Sequence, residues 1–143
     1  FREPEVQQLA NLIADVLGWF GTAPAAGGNF TPLAPARVLD TRAGGPVGTR
    51  SSIDLTVTGR GGVPASGVSA VVLNITATRP TDRTYVTVWP TGATRPDASN
   101  LNVVPGQSRP NLVIARVGAG GKVSLYNDAG TTDLLADVVG WFD

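Results

Sequence analysis

The residues best suited to chemistry are arginines, aspartates and asparagines gathered in a few short stretches, with aromatics between them. The densest stretch is Arg37-Val38-Leu39-Asp40-Thr41-Arg42. In an extended strand, alternation places Val38, Asp40 and Arg42 on one face and Leu39 and Thr41 on the other. Two guanidinium forks beside one carboxylate could recognise an anionic group or sugar hydroxyls. They could equally form an ion pair that ties the strand to its neighbour, because half-buried charges are normally paired. Asp137, or Asp15 earlier in the chain, is the expected partner of Arg37 or Arg42.

A second constellation is Tyr85 and Trp89, four residues apart with Thr87 between them. On a strand these three share a face. If that face is outward, the rings could stack on sugars. If Val86 and Val88 point outward instead, the rings are ordinary core, and alternation alone does not choose. The loop Arg95-Pro96-Asp97-Ala98-Ser99-Asn100-Leu101-Asn102 follows. It could supply hydrogen bonds to a carbohydrate or oxygen ligands to calcium, or simply satisfy itself. It lacks the spacing and glycine of an EF-hand loop. The candidate ligand-binding set is therefore Tyr85, Trp89, Arg95, Asp97, Asn100 and Asn102. Asp128 and Asp133 are further oxygen donors, but no metal site and no cofactor is expected.

Missing residue types exclude much else. The chain has no His, Cys or Met. There is thus no imidazole base, no thiol nucleophile, no disulfide and no ordinary zinc or copper site. Asp40 and Asp137 could in principle act as paired carboxylates, yet no glutamate occurs beyond Glu5. The expected class is non-catalytic. Eleven basic residues balance eleven acidic ones, so no positive field favours nucleic acid or anionic lipid. No apolar run is long enough to span a bilayer, and the first residues do not read as a signal peptide.

These residues need a scaffold, and the punctuation of the chain describes one. Gly (18) and Pro (11) separate short β-rich runs. The clearest run, 71–78, alternates Leu73, Ile75 and Ala77 with Asn74, Thr76 and Thr78, which puts the first set in a core. Others fall at 37–40, 52–58, 84–89, 101–104, 112–117, 122–126 and 134–142. Gly118-Ala119-Gly120-Gly121 reads as a hairpin turn. The expected fold is all-β, an antiparallel β-sandwich or jelly-roll-like single domain of about eight strands with an N-terminal extra strand or arm. Residues 1–29 form the arm and linker, and residues 30–143 the sandwich.

The arm carries the most specific pattern of all. Leu12-Ile13-Ala14-Asp15-Val16-Leu17-Gly18-Trp19-Phe20 returns as Leu134-Leu135-Ala136-Asp137-Val138-Val139-Gly140-Trp141-Phe142, an offset of 122 residues with seven of nine positions identical. Residues 6–20 also show helical spacing, but the copy of a β segment argues for a strand. The arm is expected to be the closing strand of a preceding repeat, with Leu12, Ile13, Val16, Trp19 and Phe20 as an assembly strand that docks at a sheet edge.

Taken in order, Phe30-Thr31-Pro32, Pro35-Ala36-Arg37-Val38-Leu39-Asp40-Thr41-Arg42, Gly62-Val63-Pro64, the run 71–81, Ser99-Asn100-Leu101-Asn102, Pro105-Gly106-Gln107, Pro110-Asn111-Leu112-Val113, Val123-Ser124-Leu125-Tyr126-Asn127 and Asp137-Val138-Val139-Gly140-Trp141-Phe142 resemble a repeat module found towards the C-termini of secreted and surface proteins of actinobacteria. Members of that family often end in Gly-Tyr-Phe where this chain has Gly140-Trp141-Phe142, and usually carry a smaller residue near Arg83. The resemblance implies an extracellular accessory domain without a catalytic motif. The expected function is a structural or adhesive module of a tandem-repeat surface protein or fibre, its partners being neighbouring repeats or identical subunits. The alternative is a carbohydrate-binding module for a cell-wall or plant polysaccharide.

Overall fold

The computed structural model describes residues 14–16, 19 and 28–143. Its strands are β1 (Phe30–Asp40), β2 (Ser51–Thr56), β3 (Ala70–Thr78), β4 (Thr84–Pro90), β5 (Leu101–Val103), β6 (Arg109–Arg116), β7 (Lys122–Asn127) and β8 (Asp133–Phe142). Two four-stranded sheets result, with orders β1-β8-β3-β6 and β2-β7-β4-β5, and every pairing between strands is antiparallel. All connections except β4 to β5 cross from one sheet to the other. This is jelly-roll order, and it closes both sheets around one core.

The alternation of β3 explains where that core sits. Val71, Leu73, Ile75 and Ala77 are fully buried, and they meet Val86, Val113, Val123, Leu125, Leu134 and Val138 from the strands around and opposite them. Asn74, Thr76 and Thr78 face outward, half-buried.

Two local expectations are corrected. Val38 does not share a face with Asp40 and Arg42. The register of β1 against β8 slips between Arg37 and Leu39, so Val38 and Leu39 both pack on the core. A bulge of this kind adds a residue to one strand and re-aims its side chains. Gly118 to Gly121 closes one antiparallel bridge, Gly118 to Lys122, but not a hairpin between β6 and β7, which lie in different sheets. The segment is a single 3-10 turn at Ala119–Gly121 that carries the chain across the sandwich.

The C-terminal copy of the repeated strand, β8, is an interior strand, paired with β1 on one side and β3 on the other. The edges of that sheet are β1 and β6. Of the assembly residues, Leu12, Ile13 and Phe20 lie outside the described residues. Val16 and Trp19 are described, belong to no strand, and are 89% and 84% exposed.

Gly140 shows how tightly the neighbours of β8 approach it. A Cβ placed there would run into the ring of Phe30, which itself packs against Phe142 with centroids 5.1 Å apart. The same end of the sheet brings the two ends of the sandwich together: Phe30 pairs with Phe142, and the Asn29 amide donates to the Asp143 carboxylate.

Candidate functional site

Two outward surfaces hold the residues singled out by their chemistry. The first lies on the β1/β8 side and is a chain of ion pairs. Arg37 donates to Asp137 through Nε (2.5 Å) and Nη2 (3.2 Å), and through Nη1 to Asp40 (3.3 Å). Arg42 in turn grips Asp40 through Nε (2.9 Å) and Nη2 (2.6 Å), and its backbone amide adds a third bond at 3.1 Å. The bulge at Val38 is what lets Arg37 and Asp40, three residues apart, reach each other.

Both guanidinium forks are thus occupied by carboxylates of the chain itself. The Arg42 hydrogen bonds hold the Asp40 carboxyl well below the usual carboxylate range, and bonding to Asp137 raises Arg37. A carboxyl held ionised in this way is a poor proton donor. The arrangement ties β1 to β8.

The second surface is the outer face of the other sheet. Val86 and Val88 point into the core, which settles the choice alternation left open: Tyr85, Thr87 and Trp89 lie on the outer face of the sheet, Tyr85 and Trp89 half-buried and Thr87 fully buried there. Thr87 stands beside Tyr126, Trp89 beside Ser124, and Tyr85 beside Asn102 in the cross-strand register. The loop 91–100 lies against this face. Thr87 Oγ1 donates to the Ala98 carbonyl (2.7 Å), and Trp89 Nε1 donates to the Ala93 carbonyl (3.1 Å). Asn100 spends its side-chain oxygen on the Val88 amide (2.7 Å), and Asn102 donates to Ser99 Oγ (3.1 Å). Asp97 is exposed and makes no hydrogen bond or ion pair among the described residues.

At the centre of that face is a cluster only partly visible in the sequence. The Arg95 guanidinium sits 3.8 Å from the centroid of the Tyr126 ring, and Tyr126 lies 6.0 Å from Tyr85 between centroids. Tyr126 donates its phenol to Asp128 (3.0 Å). Bonding to Tyr85 raises the Arg95 pKa, and burial followed by the Asp128 bond raises that of Tyr126. A cation over a ring face is attracted by its quadrupole. Arg95 therefore occupies the face of Tyr126 that a sugar ring would need. Beside it, Ser124 donates to Asp54 (2.7 Å) and lies 2.9 Å from the Thr91 hydroxyl.

Two polar sites went unrecognised in the sequence. Asp133, with a side chain only 5% exposed, accepts from Thr41 (3.1 Å) and pairs with Arg79 (2.9 Å). Asn127 is fully buried and bonded on both ends of its amide. Such groups are found by the pairing that burial imposes, and sequence spacing carries no signal of it.

Among the described residues no group of three or more acidic residues could hold a metal ion, and no helix is long and apolar enough to cross a membrane. No known family model matches the chain, and no curated protein matches it.

Proposed function

We propose that this chain is a non-catalytic structural or adhesive module of an extracellular tandem-repeat protein, joined to its neighbour through residues 12–20. The observation that carries the reading is the nine-residue copy of β8. An interior strand supplies core side chains, not a generic edge, so its repetition is the repetition of a module. The arm is then the closing strand of one copy, and Phe30 opens the next.

The two surfaces support the reading. One is a closed chain of ion pairs, and on the other the aromatic and amide groups are largely spent on the chain itself. A carbohydrate-binding reading rests on one specific observation, the outward pair of Tyr85 and Trp89 with exposed Asn102 beside Tyr85.

A tandem chain tests the leading reading. If Phe142 is continued directly into residues 21–143, the 122-residue interval is kept. Both copies should then fold with the melting temperature of the single one, and loss of folding in either copy argues against an array. Pull-down on insoluble polysaccharides tests the alternative. Saturable binding that Trp89→Ala abolishes, with the circular dichroism unchanged, would replace the structural reading with carbohydrate recognition.

A further inference from the structure

We infer that residues 12–20 are a second occupant for the slot that β8 fills between β1 and β3. The inference rests on the repeat-module reading and adds the acceptor, the register and the partner. β8 meets its surroundings through a few positions. Leu134, Ala136 and Val138 are fully buried in the core, and Trp141 packs against it. Asp137 holds Arg37, and Gly140 leaves room for the Phe30 ring. At the 122-residue offset the arm supplies Leu12, Ala14, Val16, Trp19, Asp15 and Gly18, the same residue at each of these positions. Its two differences, Ile13 for Leu135 and Leu17 for Val139, exchange one aliphatic side chain for another. The second falls where β8 bulges out of register with β3.

The chain length permits the exchange. In the register of β8, Phe20 would stand opposite Phe30, and the nine residues 21–29 connect them. Nine extended residues reach about 30 Å, whereas neighbouring strands lie about 4.8 Å apart. One chain thus holds two copies of the strand and one slot, so one copy is always left over. Here β8 fills the slot with Val138 fully buried, and of the described arm residues Val16 and Trp19 lie in solvent.

The choice between copies has a chemical cause. Asp133, at the start of β8, is a buried carboxylate bonded to Thr41 and Arg79. The residue 122 places earlier is Asn11, which cannot form that ion pair. The C-terminal copy therefore wins the slot in its own chain. The arm is left for the slot of another module of the same kind, one whose closing strand is absent or displaced.

Hydrogen exchange on the full chain tests this. Val138→Asp puts a charge into the core from β8. Amide protection should then leave 134–142 and appear at 12–20, with cooperative unfolding retained. Val16→Asp alone should change nothing, and the double variant should lose protection in both segments together with the cooperative transition. A Val138→Asp chain that unfolds as the double variant does, or that folds with 12–20 unprotected, overturns the exchange. Neither result touches the tandem-chain test of the array. A milder pair avoids wholesale unfolding: Asn11→Asp with Asp133→Asn moves the carboxylate to the arm. Protection should move with it, and protection that stays at 134–142 counts against the proposal.

Discussion

Replacing Asn127 by alanine should cost this fold a large part of its stability, although the residue reads in the sequence as one more turn former. Its side chain is fully buried at the end of β7. Nδ2 lies 3.1 Å from the Val47 carbonyl, 3.0 Å from Gly48, 3.2 Å from Ala129 and 3.0 Å from Gly130, so its two hydrogens are shared among four acceptors. Oδ1 accepts from the Thr84 hydroxyl at 2.7 Å. One amide thus pins the loop after β1 and the loop after β7 to the start of β4. In the alanine variant the Val47 carbonyl keeps the Thr132 amide, and the Gly130 carbonyl keeps the Thr49 hydroxyl. The Gly48 and Ala129 carbonyls and the Thr84 proton lose their bonds to the amide; Thr84 Oγ1 still accepts from the Ala129 amide at 2.9 Å, but its proton is left with a long 3.4 Å contact to the Tyr85 carbonyl. A buried polar group without a partner costs about 1–3 kcal/mol. Gly48 and Ala129 are half-buried, so water offsets part of their loss, and the sum comes to about 3–5 kcal/mol. Small domains hold only about 5–15 kcal/mol in total. Urea titration should show the midpoint falling by that free energy divided by the m-value, with the m-value unchanged. A loss below about 1 kcal/mol would mean that the amide is not the tie described here. Asn127→Asp should do at least as much damage at neutral pH, since it turns a negative charge towards carbonyl oxygens, and less as acid neutralises it.

Gly140→Ala should destabilise by about 1–2 kcal/mol, as overpacking does, because the new Cβ meets the Phe30 ring and also stands 3.0 Å from the Thr31 carbonyl; Phe30→Ala in the same chain should recover part of the thermal shift. Arg79→Ala leaves the buried Asp133 carboxylate with Thr41 alone, and calorimetry should show a loss of about 1–2 kcal/mol, reduced from a fully buried pair because Arg79 is 61% exposed. Asp40 holds its proton less tightly folded than unfolded, so as pH falls the unfolded chain protonates first. Its contribution is complete above about pH 4 and is lost as pH drops further. Asp40→Asn should therefore flatten the acid limb of a melting-temperature profile, and an unchanged limb would show the Arg42 pairing to be energetically silent.

Some of this was legible in the chain because it follows from local rules. Leu73, Ile75 and Ala77 alternate with polar residues, and an alternation of that kind has one burial solution. The Arg37, Asp40, Arg42 and Asp137 cluster could be anticipated because charges beside a core demand partners. What escaped depends on neighbours that no local rule supplies. The outward turn of Tyr85 and Trp89 is set by which strands flank β4. The bulge at Val38 is one extra residue whose cost appears only against the register of β8. Asn127 and Asp133 look like loop residues until the crossing connections bury them. The repeat at 12–20 was plain, but its meaning was not, since a sequence copy does not say whether the strand it copies lies at an edge or in the middle.

That distinction changes how a chain of such modules is built. β1 and β8 are antiparallel neighbours, with Phe30 opposite Phe142 and Asn29 bonded to Asp143, so the polypeptide enters and leaves the sandwich at one end of one sheet. In the proposed array, modules joined through segments like 21–29 would not pass load end to end through the sandwich. They would hang from the connecting chain, each closed by a strand that comes just before the next linker. Copies arranged this way keep both outer faces free of their neighbours, and extension is taken up by the linkers. The same geometry makes the last strand the vulnerable one, because tension on the two ends opens β1 from β8 one hydrogen bond at a time and exposes the slot between β1 and β3. On the proposed exchange, the second copy of that strand, nine residues before Phe30 in the sequence, is the segment that would refill an opened slot.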